Sequence, residues 1–179
     1  MMHIITYPSD ILRAKSIAVE NFDHSLRATV AAMIDTMYTN NGVGLAAPQI
    51  GINERLIVVD STSGQSAHSL IVMINPKIMW SSNDIETKVE GCLSMPNVQL
   101  NICRNSEIEV EYSDISGTQR YGLYSGLTAR IIQHEIDHLD GILLIDRAAP
   151  VEHRTVLKNL SKIAIGLLCQ QEINCLGFN

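Results

Sequence analysis

The sequence predicts an α+β fold, with mainly antiparallel β-sheets packed around a central helix and a further helix at the C-terminal end. Segments of strand character come in blocks with helical stretches between them, not in strict βαβ alternation. Glu107-Ile108-Glu109-Val110-Glu111-Tyr112 alternates charged and apolar residues, the pattern of a half-buried strand. Apolar residues make up 46% of the 179 residues, which supports one globular domain with a substantial core and excludes a disordered chain. Residues 1–179 are therefore read as a single domain, with the C-terminal helix over about 150–170 and no clear signal in the tail 171–179.

From Asp23 to Asn40 the spacing predicts an amphipathic helix. Leu26, Val30, Met33, Ile34 and Met37 fall on one face, Asp23 is its N-cap, and Asn40-Asn41-Gly42 stops it. Leu56-Ile57-Val58-Val59 and Leu70-Ile71-Val72-Met73-Ile74 are apolar runs bounded by turn residues, as in buried strands, with Ser61–Ser66 a loop between them. After the Glu107 strand, Ser116-Gly117 marks a turn and Gln119 to Tyr124 returns as its partner. Ser125 is placed to cap a helix over about Gly126 to Asp140, closed by Gly141, with Leu127, Ile131, His134 and His138 on its inward face. The last helix starts near Pro150, with Val156, Leu160, Ile163 and Leu167 on one stripe.

Composition narrows the function. A net charge of −6 argues against non-specific nucleic-acid binding, and no Lys/Arg cluster reverses that. No apolar run approaches the ~18 residues of a membrane span, and the N-terminus lacks the basic and apolar regions of a signal peptide. A cytoplasmic protein with no membrane association is expected. In a reducing compartment Cys92, Cys103, Cys169 and Cys175 are thiols or ligands, not disulfides.

His134-Glu135-Ile136-Asp137-His138 is the most informative stretch. It fits H-E-x-x-H, in which residues four apart on a helix are separated by about 40° of rotation and about 6 Å of rise, so two imidazoles reach one cation. Glu135 projects to the side, where it can serve an attacking water without being a ligand. A catalytic zinc or iron keeps three protein ligands and one open position. The third ligand is open between Glu152 or His153 downstream and Cys92. Cys92 is favoured, because it lies in Glu90-Gly91-Cys92-Leu93-Ser94-Met95-Pro96, where the glycine permits close approach and the proline ends any regular element. A thiolate suits Zn(II) or Fe(II) over Mg or Ca. The plainer alternatives are two core histidines bonded to carbonyls and a buried Cys92 acting as a small hydrophobe. Cys103, Cys169 and Cys175 are read as inert thiols, and His3, His24, His68 and His153 as solvated.

Gly42-Val43-Gly44-Leu45-Ala46-Ala47-Pro48-Gln49-Ile50-Gly51 is the second unusual stretch. It lacks the Gly-Lys-Ser/Thr and G-x-G-x-x-G patterns of phosphate loops, and taken alone it reads as a turn leading into the Leu56 strand. Gln49, a neutral amide on constrained backbone, is suited to donate to a carbonyl oxygen that gains charge.

Together the three segments resemble peptide deformylase, a family marked by G-x-G-L-A-A-x-Q, E-G-C-L-S and Q-H-E-x-D-H in this order. Tyr7–Arg13 and Met33–Tyr38 are also similar to family segments, and the resemblance spans roughly His3 to Arg147. It implies removal of the N-formyl group from nascent chains that begin with formyl-methionine, releasing formate. By motif match Cys92, His134 and His138 are the metal ligands and Glu135 the general acid/base. Gln49 and the Leu93 N–H hold the formyl oxygen. The implied metal is ferrous iron (Fe2+), with Zn2+, Ni2+ or Co2+ able to take its place. The peptide is implied to dock extended along backbone edges, against Val43, Gly44, Glu90, Gly91, Leu93, Leu127, Arg130, Ile131 and His134. N-formyl-methionyl nascent peptides as substrates also admit an association with the ribosome.

The chain departs from the family pattern in three places. Val89 stands where many members have a second acidic residue. Gln99 stands where an arginine often follows, with Arg104 coming later. Leu160 to Asn179 is more apolar than a charged C-terminal helix. Two other classes compete: a peptidase cutting internal amides by the same water chemistry, and a catalytically silent metal-binding module. The thiolate ligand and single compact domain disfavour the first, and the intact Glu135 and Gln49 disfavour the second.

Overall fold

The structure, a computed structural model, describes residues 2–66, 69–153 and 156. Helix α1 spans His24–Thr39, and the Asp23 carboxylate accepts from the Leu26 N–H at 3.0 Å, the predicted N-cap. Its end differs in one detail from the expectation. Asn41, with φ 54°, takes the left-handed turn that releases the chain, and Gly42 does not.

Strands β1 (Gly44–Ala46), β2 (Leu56–Val59), β3 (Ile71–Ser81), β4 (Ile85–Cys92), β5 (Met95–Asn105), β6 (Glu107–Ser113) and β7 (Gln119–Ser125) form two antiparallel sheets. One runs β1-β2-β3-β6-β7, and the other is the β4-β5 hairpin. Both β1 and β4 are sheet edges. Why β2 reads as an unbroken apolar run is now clear. Leu56 and Val58 pack with Met33 and Met37 of α1 on one face, while Ile57 and Val59 pack with the second helix on the other. A strand covered on both faces has no reason to alternate.

Helix α2 spans Gly126–Leu139. Ala129, Ile132 and Ile136 join Ile57, Met73, Ile108 and Val110 in the second apolar cluster. A third cluster joins the N-terminal segment (Leu12) to the hairpin (Met95, Leu100, Ile102) and to Leu143–Ile145. Gly141, at φ 72°, closes α2 as expected, and a Cβ there would collide with the Arg13 carbonyl. The Ser125 side chain makes no capping hydrogen bond. Gly126, at φ 58°, turns the chain and its N–H donates to the Ser106 carbonyl. The strand-to-helix junction is thus fastened through backbone, and the expected serine cap is corrected.

Pro96 does not end regular structure. It lies in β5, where the register shifts between Gly91↔Gln99 and Cys92↔Met95, and a proline is tolerated at such a bulge. Helical structure begins at Pro150, and the His153 N–H donates to the Ala149 carbonyl at 3.0 Å. The rest of the expected C-terminal helix, including Leu160, Ile163 and Leu167, lies outside the described residues, as do His68, Cys169 and Cys175.

Candidate metal centre

Cys92, His134 and His138 converge. One donor atom from each lies within 4.8 Å of the others. Cys92 ends β4, and the residues Leu93 and Ser94 form the turn that returns the chain into β5. The two histidines sit on successive turns of α2, with ring centroids 5.1 Å apart and planes at 71°. His138 Nε2 is 3.2 Å from Cys92 Sγ, and His134 Nδ1 is 3.0 Å from Glu90 Oε2. With Nδ1 engaged, the other ring nitrogen of His134 is the one available to the centre. Glu152 and His153 are not among the converging residues.

The surroundings favour a cation. Burial opposes protonation of His134, but the bonds to Cys92 and Glu90 outweigh it and push the imidazole up to about 10. His138 is pushed well below its ordinary value by burial and by the charges of His134 and Arg104. The two imidazoles are thus shifted in opposite directions, and a bound divalent cation would be held with both of them neutral. Glu135 Oε2 is buried and has no hydrogen-bond partner among the described residues, so an acceptor on the residue next to His134 is left unmet. A soft Cys/His/His donor set with such a carboxylate beside it fits Fe(II) or Zn(II).

Glu135 is pushed up to about 7 by burial, the range in which a carboxylate both takes and returns a proton. It abuts β1: a Cβ on Gly44 would meet the Glu135 carboxylate and lie 2.6 Å from Ile131 Cγ2. A larger residue there would require Glu135 or Ile131 to move. Gln49 is buried, and its Oε1 accepts from the Ala46 N–H at 2.8 Å. This turns Nε2 toward the centre, 3.7 Å from Cys92 Sγ and 3.2 Å from Ser94 Oγ. Leu93 packs against the first apolar cluster and against Gly42.

Glu90 and Arg130, expected at the substrate, line the cleft beside the centre and also pair their charges within the protein. Glu90 accepts from Arg104 Nε at 2.7 Å, Arg104 Nη2 at 3.0 Å and Arg130 Nη1 at 2.6 Å. These bonds and that to His134 overcome burial and bring Glu90 down to about 2. Arg130 also donates to the Ile102 and Glu86 carbonyls. Arg104 reaches Asp137 Oδ2 at 2.8 Å, and Arg147 binds the same carboxylate. Arg104 and Asp137 are the residues that sequence reasoning missed. Their signal was present: Arg104 follows Leu100 and Ile102 at the inward positions of an alternating strand, and Asp137 lies one turn beyond His134. Each needs a buried partner of opposite charge.

Beside the centre lies a cleft of about 820 Å³. Val43, Gly44, Gln49, Glu90, Gly91, Cys92, Leu93, Leu127, Arg130, Ile131, His134 and Glu135 line it. The expected substrate residues therefore share one cavity. Leu127 is not on a buried face: it is 52% exposed and stands at the mouth.

The family model described as Polypeptide deformylase matches residues 1–154. The peptide deformylase of Picosynechococcus sp. is 43% identical over 152 residues, covering 85% of this chain and 80% of its own length. That of Thermodesulfovibrio yellowstonii is 42% identical over 158 residues, covering 88% and 95%. Among solved structures, the peptide deformylase of Plasmodium falciparum superposes with a TM-score of 0.88 at 36% identity, over 93% of this chain and 98% of its own. The Synechococcus elongatus enzyme, in complex with actinonin, gives 0.85 at 40% identity, over 89% and 88%.

Proposed function

The chain belongs to the polypeptide deformylase family, hydrolases of N-formyl-methionyl peptides, and we propose that it releases formate from nascent chains as a metal-dependent enzyme. The observation that carries the metal dependence is the convergence of Cys92, His134 and His138 beside the unpartnered Glu135 carboxylate. These three residues would hold one divalent cation, iron by family resemblance. It would supply Lewis acidity and bring the pKa of the attacking water toward about 7–9.

The remaining work falls to the chain's own groups. Glu135, poised near neutrality, takes the proton of the attacking water and returns it to the departing amine nitrogen, so no net proton is needed. Gln49 Nε2 and the Leu93 N–H donate to the formyl oxygen as it gains charge; a single donor of this kind is typically worth ~3 kcal/mol. Ala46 holds the Gln49 amide in place beforehand, so no reorganisation is needed during reaction. The β1 and β4 edges flank the cleft and offer unpaired backbone to an extended peptide. The methionine side chain then enters between Val43 and Ile131, an apolar lining that suits a thioether.

Residues 1–179 act as one catalytic domain in this reading. Its substrates emerge from ribosomes, so it works in the cytoplasm near them. No helix among the described residues is long and apolar enough to cross a membrane. Formate release from formyl-Met-Ala-Ser, set beside the acetylated peptide and an internally cleavable peptide, tests the reaction. Turnover is expected only with the first, lost after chelation and restored by Fe(II) under anaerobic conditions. Cleavage of the internal amide instead would favour the peptidase.

A further inference from the structure

The segment that joins α1 to β1 is fastened at both ends to one residue. At the α1 end the Tyr38 hydroxyl donates to Asp60 Oδ2 at 2.6 Å. At the β1 end the Asp60 N–H donates to the Val43 carbonyl at 2.8 Å. Asp60 lies just past β2 and is fully buried. Its carboxylate also accepts from the Thr62 N–H at 2.9 Å, the Thr62 hydroxyl at 2.8 Å and the Gly64 N–H at 2.8 Å. These bonds fold the loop after β2 against the Tyr38 ring. The same loop reaches α2, where Thr128 Oγ1 donates to Ser61 Oγ at 3.1 Å. The clamped segment forms a lip of the cleft through Asn41, Gly42 and Val43, and Leu127 and Ile131, within one turn of Thr128, line it too. The lip is close to Leu93: a Cβ on Gly42 would lie 2.9 Å from Leu93 Cδ1.

We propose that Asp60 is a positioning residue for the substrate: through Tyr38 and the Ser61–Thr128 link it fixes the spacing between this lip and α2, and so sets the width of the apolar slot between Val43 and Ile131. The inference deepens the deformylase reading and rests on it. Asp60, Tyr38 and Thr128 stand behind the lining of the cleft and act through it. Apolar contacts under the lip are non-directional, whereas hydrogen bonds to an ionised carboxylate are short and directed. A slot held this way keeps its width before the first side chain enters, so little ordering is left for binding to supply.

The test compares formate release from formyl-Met-Ala-Ser and the bulkier formyl-Phe-Ala-Ser by the metal-loaded full chain. Wild type is expected to favour the first by about ten-fold or more in kcat/KM. Tyr38→Phe removes the hydroxyl and keeps the ring that packs on the first apolar cluster. Its KM for the formyl-Met peptide should rise about three- to ten-fold with kcat within about two-fold, the pattern of binding lost equally from ground and transition states. Its formyl-Met/formyl-Phe ratio should fall by about three-fold or more as the slot loosens. Thr128→Val, which cuts the other link, should lower the ratio in the same direction. Tyr112→Phe is the control: it deletes the Tyr124–Tyr112 hydrogen bond between β6 and β7 and should leave KM and ratio unchanged. Neither quantity depends on how much of a preparation is active, so a less stable variant still reports. Equal rates for the two peptides in wild type, or a Tyr38→Phe ratio that matches the control, overturns the brace, and a lowered urea midpoint alone would then mark Asp60 as structural only. No formate from wild type with either peptide would instead overturn the deformylase reading itself.

Discussion

Replacing Glu90 by Gln keeps the shape of the side chain and removes its charge. In the wild-type structure this carboxylate joins three positive or proton-bearing partners: Arg104, Arg130 and the His134 imidazole. Breaking a buried ion pair by removing one partner costs ~3–5 kcal/mol. Here Arg104 keeps Asp137 and Arg130 keeps two carbonyls, so the loss should fall at the low end, about 3 kcal/mol. A second effect acts on the centre. The introduced amide would keep one oxygen for the three donor residues that share the two carboxylate oxygens, and weakening the partner that orients a metal-binding histidine typically lowers metal affinity 10- to 100-fold, roughly 1.4–2.7 kcal/mol. Urea unfolding of the metal-free protein measures the first, and competition with a chelating dye measures the second. Arg104→Met is the companion variant. It should lose comparable stability while the Glu90–His134 bond survives, so its metal affinity should change much less. Glu90→Gln protein that is less stable yet binds metal as tightly as wild type would show that the ion cluster holds the fold without positioning His134.

Three further outcomes can be checked. Glu135→Ala should keep its metal and lose formate release by roughly two orders of magnitude or more; undiminished turnover in that variant would remove Glu135 from the proton transfers. Gly44→Ala puts a methyl where the Glu135 carboxylate and Ile131 now lie, and kcat should drop by about ten-fold or more because the carboxylate is pushed out of place, a shift that steady-state kinetics and a crystal structure would both register. Burial alone would raise Asp60, but bonds from Ser69, Tyr38 and Thr62 outweigh it and hold the carboxyl well below its ordinary 3.8. A depressed carboxylate contributes stability that is present above pH 3.8 and is lost as the pH falls below it. Asp60→Asn should therefore be less stable at pH 7, by about 1–3 kcal/mol, and should show a flatter acid limb. Parallel acid limbs in urea titrations would exclude that linkage.

What the sequence showed and what it hid follow from the range of the interactions. Helix α1, the β6-β7 pair and α2 are set by local periodicity and turns, with a side-chain cap at α1 but not at α2, and all stand where the spacing put them. The β4-β5 hairpin was not visible as strands. Lys88, Glu90 and Arg104 interrupt its pattern, because two of them form a buried ion pair that reads locally as surface. The same non-local pairing kept the partners of Arg104, Asp137, Glu90 and Arg130 out of local view. The converging triad was legible, since H-E-x-x-H is itself a local geometry and the Cys92 segment is distinctive. That Leu127 stands exposed at the cleft mouth was not, because its helical phase matches the inward face while α2 begins just there, beyond the reach of the sheet.

The distribution of charge bears on why the centre is built this way. The three apolar clusters join the elements through contacts that are non-directional. The centre cannot tolerate small slides, because Cys92 comes from the hairpin and both histidines from α2, and a shift of about 1 Å between the two would open the ligand set. Where hairpin meets α2, Arg104 grips Glu90 of β4 and Asp137 of α2, at 2.7 and 2.8 Å, and Arg130 of α2 reaches Glu90 and the Ile102 carbonyl, at 2.6 and 2.9 Å. Charge-assisted hydrogen bonds have defined lengths and directions. An apolar repacking of that junction would be at least as stabilising, since burying the charges costs several kcal/mol per ion in desolvation. It would also leave the hairpin free to slide along the helix. The costly junction lies against the ligands, and Glu90 joins the two systems by accepting from both Arg104 and His134. Charged hydrogen bonds at that junction fix both distance and orientation, at a desolvation cost that an apolar junction would avoid.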